Sequence, residues 1–255
     1  MFSDLVYNQD DFIGSSSFDL ASAKADTGPL GTAQLFQLAR ATGDAAGASE
    51  AMSLILAKAE AAGNFSRYVA LFGPEISLMP AQNKAEVNLS LFTRAAIERG
   101  DIGALQGLYS ALPEGQEQAR IALIADALGN GFSLGELGRD IETRLESEGA
   151  DKRRAVRDSF IAMAMGARLS GDASVNIMGV SKGGGQAANS GDLLALSAAA
   201  TASSRAETML RAAIILDSTD MLDNPSLAAV ISALQEAGLP QFAGRVAAQD
   251  FLEAL

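Results

Sequence analysis

The segment GVSKGGGQAANSGD, residues 179–192, sets a lysine beside three consecutive glycines. A phosphate-binding loop has the order G-x-x-x-x-G-K-[ST] and follows a strand. Here Lys182 comes before Gly183, Gly184 and Gly185, and no serine or threonine directly follows the glycines. The preceding run SVNIMGV is interpreted as a loop or helical turn. The pattern therefore favours a flexible connection before a helix at 191, with a binding loop as the alternative.

Two other letter patterns in this segment lack the partners that their chemistry needs. Gly183, Gly185 and Ala188 fit a loose dinucleotide motif, but no β-α-β unit surrounds them. Residues 179–183, GVSKG, fit the nucleophile motif G-x-S-x-G, which works with a histidine. The chain contains 0 histidines, so catalysis by a Ser-His-Asp triad is excluded.

Metal and thiol chemistry are also disfavoured by composition. With 0 cysteines and 0 histidines, disulfides, thiolate nucleophiles and the common zinc sites are excluded. The acidic run Asp217, Asp220 and Asp223 lacks the alternation, glycine and closing glutamate of a calcium loop, so helix capping and solvation explain it. We expect no metal and no cofactor. Carboxylates that meet only in space stay open as an alternative catalytic pair.

The run DKRRAVRDSF concentrates positive charge in an acidic chain, through Lys152, Arg153, Arg154 and Arg157. One interpretation is a patch that binds an anion or an acidic partner. The other is a solvated helix face that pairs with neighbouring acids, since Glu148 lies four residues before Lys152. The sequence favours the second interpretation.

The net charge of −12 argues against nucleic acid and against anionic membrane surfaces as partners. No stretch is typical of a membrane span, because the most apolar region is interrupted by Arg205, Glu207 and Arg211. The start, MFSDLVYNQDDF, lacks the basic and apolar regions of a signal peptide. A cytoplasmic location is expected, or a periplasmic one if a signal was removed. A third hypothesis is that the chain is the C-terminal part of a larger exported bacterial protein.

Helical periodicity dominates the rest of the 255 residues, of which 48% are hydrophobic. Asn224 is predicted to cap a helix, Pro225 to begin it and Gly238 to end it. The pattern predicts an all-α fold with about eleven helices, at 31–42, 46–62, 64–73, 81–99, 102–112, 115–128, 133–148, 151–170, 191–216, 225–237 and 240–254.

Residues 1–30 differ from the rest, being rich in serine, glycine and aspartate with weak periodicity. They predict an irregular N-terminal arm. Residues 31–255 predict one helical domain, with a possible division into two sub-domains near 171–190.

Two stretches have the form of a helical hairpin: RAAIERGDIGALQGLYSAL at 94–112 and LQEAGLPQFAGRVAAQDFL at 234–252. They resemble the α-hairpins of tetratricopeptide-like or Sel1-like repeat proteins. The resemblance implies stacked antiparallel hairpins, in a solenoid-like or irregular array. It also implies a surface that binds a protein or peptide.

The expected function is a non-enzymatic protein–protein interaction or scaffold module that binds a protein partner. The alternative is a small-molecule or peptide binder, or a carboxylate-based hydrolase, with a helical cleft and the 179–190 loop as lid. A closed bundle with converging carboxylates in a deep pocket would contradict the first, and a 179–190 loop that can be deleted without altering any ligand response would contradict the second.

Overall fold

The structure, a computed structural model, describes residues 29–41, 45–82, 88–129, 141–171, 177 and 184–253. Within these ranges every extended element is an α-helix and no strand is present, which confirms the all-α prediction. The helices are α1 (Pro29–Ala41), α2 (Ala45–Ala61), α3 (Phe65–Gln82), α4 (Leu89–Arg99), α5 (Ile102–Ala111), α6 (Gln116–Ala127), α7 (Gly149–Ala164), α8 (Ser190–Thr201), α9 (Arg205–Asp217), α10 (Asn224–Glu236) and α11 (Pro240–Leu252).

The periodicity located six helices well, because their apolar residues recur on one face and small or polar residues end them, whereas the helix predicted over 151–170 ends at Ala164. The helices predicted at 31–42, 46–62, 102–112, 115–128, 225–237 and 240–254 lie within two residues of α1, α2, α5, α6, α10 and α11 at each end. Of the helix predicted over 133–148, residues 141–145 are helical and 130–140 lie outside the described residues.

The single helix predicted over 191–216 is wrong, because two helices, α8 and α9, occupy this stretch. Ser203 between them has a φ of 55°, a left-handed conformation that ends the helix. The amides of Ser203 and Ser204 donate to the carbonyls of Ala200 and Ala199. No glycine marks this turn, and the alanine-rich pattern continues through it.

The end of α3 also differs from the prediction, which placed helices at 64–73 and 81–99. The helix continues through Pro74 with a kink at Phe72, where φ is −105° and ψ is 15°. Proline has no N–H to donate to the turn before it, so a local departure from helical angles accommodates its ring. The following helix, α4, then begins at Leu89 rather than 81.

The chain divides into two compact units, Met1–Ala95 and Ala96–Leu255. In the first, α2 packs against both α1 and α3, and its Met52 and Ile55 are fully buried. The sequence placed a possible division near 171–190 instead; most of residues 172–183 lie outside the described part of the chain, so that division stays a prediction. The predicted arm also lies outside it, up to residue 28.

In the second unit, α10 is the central helix, with Val230, Ile231 and Leu234 buried along its length. It packs against α7, α8, α9 and α11, while α11 packs against α6. The last hairpin of the chain thus contacts helices from early and late in the unit. Helices of a solenoid contact their chain neighbours, so the described packing of this unit is that of an irregular helical array.

Helices α6 and α11 approach closely at Gly244. A Cβ atom at this position would lie 2.2 Å from the carbonyl oxygen of Ala127, well inside van der Waals contact distance. The glycine is therefore required by the backbone of the opposing helix. None of the described helices has the length and hydropathy needed to cross a membrane.

We expect Gly244→Ala to lower the free energy of unfolding by about 1–3 kcal/mol, since α11 must move away from the Ala127 carbonyl. Urea denaturation followed by circular dichroism measures this change. Gly171→Ala is the matched control, because a Cβ there meets nothing within 4 Å. An equal effect of the two substitutions would contradict the close approach.

Candidate functional site

Helix α7 carries a fully buried carboxylate, that of Asp158, which accepts hydrogen bonds from three arginines. Arg120 and Arg144 each donate through Nη1 to Oδ2 at 2.8 Å, and Arg154 donates through Nε to Oδ1 at 3.0 Å. Arg120 is on α6, so this contact joins α6 to α7. Burial lowers the pKa of Arg120, and the charge of Asp158 opposes that decrease.

A second buried carboxylate, Asp250 on α11, binds the same helix α7. Arg157 donates to Oδ1 through Nε at 2.8 Å and through Nη2 at 2.5 Å. Arg154 donates to Oδ2 at 3.1 Å. Arg154 therefore bridges Asp158 and Asp250. We call these charged groups, with Arg120 and Arg144, the arginine–aspartate network.

Arg157 extends the network to the start of α10. Its Nη1 donates to the carbonyl oxygen of Leu222 at 2.7 Å and to Oδ1 of Asn224 at 3.1 Å. Asn224 is buried, and it does not cap α10 as the sequence predicted. Asp223 is the cap, because its Oδ1 accepts from the amide of Ser226 at 2.9 Å. The sequence predicted the cap at Asn224, the residue before Pro225. In the structure the Asn224 side chain instead accepts a hydrogen bond from the buried guanidinium of Arg157.

The four basic residues of the run DKRRAVRDSF differ in their exposure to solvent. Arg154 and Arg157 point into the network and bind Asp250. Arg153 is exposed and Lys152 is half-buried. The four side chains thus do not form one exposed patch, because two of their charges are used inside the protein. Anion binding by Lys152 and Arg153 stays a prediction.

Gln186, the residue directly after the three glycines, is held by two backbone hydrogen bonds to the chain before α10. The amide of Gln186 donates to the carbonyl of Met221 at 2.9 Å, and the amide of Asp223 donates to the carbonyl of Gln186 at 3.0 Å. Lys182 and Gly183 lie outside the described residues. Residues 184–189 are therefore attached to the chain just before α10.

The attachment requires a glycine at position 185. Gly185 has a φ of 109°, and a Cβ atom there would lie 2.5 Å from the carbonyl oxygen of Leu222. Gly184 is exposed and lies next to Met221. Only glycine meets both the dihedral and the space requirement at position 185, so backbone packing accounts for this residue.

A cavity of about 360 Å³ opens beside the network, between α9, α10 and α11. Arg157 and Asp250 lie in its wall as a neutralising pair. Its apolar lining comes from Leu216, Leu222, Leu227 and Val246, and its exposed charged residues are Asp220, Arg245 and Glu253. An apolar cavity with a few polar groups is the usual form of a small-ligand site.

Glu253 has an altered electrostatic environment at this cavity. Although Glu253 is solvent-exposed, partial desolvation by neighbouring atoms raises the pKa of its carboxyl group, the charge of Asp250 raises it further, and Arg157 and Arg154 oppose this. A cation bound beside Glu253 would favour its ionised form.

The network's carboxylates offer little to acid–base catalysis, since their oxygens are occupied by guanidinium donors. Asp126 is different: burial raises its pKa to about 6, and its Oδ2 has no hydrogen-bond partner among the described residues. The described residues contain no group of three acidic side chains placed to hold a metal ion.

Sequence reasoning missed Arg120, Arg144, Asp158 and Asp250. Asp250 had a usable signal, because it interrupts the apolar stripe of VAAQDFL with a charge. A charge on a buried face requires a partner. The partner's identity depends on α7 meeting α11, and spacing within one helix does not reveal that.

We expect Asp250→Ala to lower the free energy of unfolding by about 3–5 kcal/mol, since it leaves the buried Arg157 without its counter-charge. Urea denaturation measures the loss. Asp217→Asn, at the exposed end of α9, is the control and should change stability by about 0.5 kcal/mol or less. A tolerated Asp250→Ala substitution would mean that the network contributes nothing.

Asp126 makes stability depend on pH. Its pKa is about 6 when folded against 3.8 for the free side chain, so the folded chain binds more protons between these values. The free energy of unfolding should then fall as pH rises through this window. Asp126→Asn should be more stable than the parent at pH 7, by about 1 kcal/mol after solvent screening, and equal to it near pH 4. Urea titrations at both pH values decide, and a less stable variant at pH 7 would contradict the assignment.

Comparison with protein-family models, curated proteins and solved structures finds no significant match to this chain.

Proposed function

We propose that this chain is a non-enzymatic interaction module that binds a protein partner through the outer side of α8 and α9. The observation that carries the proposal is the exposure of three large apolar side chains there. Leu194 is 73% exposed, Leu210 63% and Ile214 55%. Exposed apolar groups of this size on neighbouring helices are a common feature of binding surfaces. We call these three residues the α8–α9 face.

The packing of the two helices accounts for this exposure. Helices α8 and α9 pack against each other, and both pack against α10. Their buried residues, including Leu196 and Ile215, serve those contacts. Leu210 and Ile214 are four residues apart and share the opposite side of α9. The α8–α9 face therefore stays exposed when α8 and α9 pack against each other and against α10.

The charges near the α8–α9 face favour a partner with basic residues around an apolar centre. Arg211 is paired with Glu207 on the same helix at 2.7 Å, while Asp192 and Asp217 are exposed. The chain as a whole carries a net charge of −12. Opposite charge on the partner would accelerate association and favour this surface over others.

The resemblance to tetratricopeptide-like and Sel1-like hairpins supports the same function by analogy, since such hairpins present helical surfaces to proteins or peptides. The occupied carboxylates of the arginine–aspartate network give no support to a hydrolase. A binder of peptides or small molecules is the second candidate, and the cavity between α9, α10 and α11 favours it.

We expect Leu210→Asp combined with Ile214→Asp to reduce partner capture at least about tenfold, because two apolar anchors are replaced by charges. The measurement is affinity capture from lysate of the native cells, quantified by mass spectrometry. Leu71→Asp is the control: this leucine is 68% exposed on α3, in the other unit.

One saturable partner, retained by the control and lost by the double variant, is the expected result. Retention by the double variant would disprove the role of the α8–α9 face. The absence of any partner in all samples would contradict the interaction module itself. Thermal unfolding of each variant confirms that the exposed substitutions leave the fold intact.

A further inference from the structure

We propose that the cavity between α9, α10 and α11 binds a short apolar peptide with free termini, three or four residues long. The inference goes beyond the α8–α9 face, because the two sites use different side chains. It rests on the cavity's lining, on the charges along its edge and on the spacing between those charges.

Opposite charges lie at the two ends of the α11 edge of this cavity. Arg245, Gln249 and Glu253 are exposed cavity residues at intervals of four, so they follow one side of the helix. Neither Arg245 nor Glu253 forms an ion pair with another described residue. The arrangement leaves one guanidinium and one carboxylate available to a ligand.

The spacing along the helix sets the length of the ligand. Eight residues at a rise of 1.5 Å each separate the Cα atoms of Arg245 and Glu253 by about 12 Å. An extended peptide spans about 3.3–3.6 Å per residue, so three or four residues cover this distance. This Cα spacing favours a peptide of that length over a single amino acid.

The signs of the charges set its direction. A guanidinium binds a carboxylate with two parallel hydrogen bonds, so Arg245 takes the ligand's C-terminus. Glu253 takes the N-terminal ammonium group, and Asp220 adds a second carboxylate to the same cavity. Arg157 and Asp250 neutralise each other, so this pair forms part of the cavity wall without adding net charge to it.

The lining selects apolar side chains. Leu216, Leu222, Leu227 and Val246 supply it, and Leu222 and Leu227 are almost fully buried. A volume of about 360 Å³ lies at the lower end of ligand sites, which run from about 300 to 1,000 Å³. The cavity accepts one or two side chains while the peptide backbone crosses its opening.

The test is isothermal titration calorimetry of the full chain with trileucine, N-acetyl-trileucine, trileucine amide and triglycine. Free trileucine should bind, and acetylation or amidation should each weaken binding about tenfold by removing one terminal charge. Triglycine should bind more weakly still, because it leaves the apolar lining unfilled.

Two variants identify which residue binds each terminus of the peptide, and a third is the control. Arg245→Gln should abolish the difference between trileucine and its amide, and Glu253→Gln the difference between trileucine and its acetylated form. Arg153→Gln, an exposed arginine on α7 that does not line the cavity, should retain both differences. Because each comparison is made within one variant, a change in folded fraction does not imitate the result.

Equal affinity for free and capped peptides would overturn the proposal, and so would the lack of binding by trileucine at about 1 mM. Binding of triglycine as tightly as trileucine would disprove the apolar selection. The proposed function is separate from these outcomes, since the Leu210→Asp and Ile214→Asp variant should bind trileucine as the parent does.

Discussion

The second unit depends on two buried carboxylates, which are bound by arginines from the surrounding helices. Asp158 and Asp250 each accept from more than one guanidinium, and Arg154 is shared between them. Burying an unpaired charge costs several kcal/mol, so the helices carrying these groups must assemble together. The network thereby sets the positions of α6 and α11 relative to α7.

Arg157 transmits this constraint to the region of the cavity. It binds Asp250 on one side and the carbonyl of Leu222 on the other. Leu222 in turn pairs with Gln186 of the glycine segment and lines the cavity. One buried guanidinium therefore positions the start of α10, the described end of the glycine segment and one wall of the cavity. These features form a connected structure, although they are distant in sequence.

The close approach at Gly244 and the attachment at Gly185 show two uses of glycine that look alike in sequence. At Gly244 the missing side chain allows two helices to touch, and at Gly185 it allows a left-handed turn against Leu222. The two surfaces proposed for binding, the α8–α9 face and the cavity, are both left exposed by the internal packing of the described helices.

Local periodicity by itself determined the all-α class and most helix bounds, because a helix with one apolar face is recognisable within about three turns. Periodicity did not predict the end of α8 at Ser203, where a turn forms without glycine. It also gave Asn224 the role of a helix cap, whereas this side chain binds Arg157. The absence of histidine and cysteine also excluded several chemistries directly. Only the tertiary structure decided which charges are buried, since Arg157 and Asp250 meet across 93 residues of chain. The network, the cavity and the exposed α8–α9 face follow from such distant contacts.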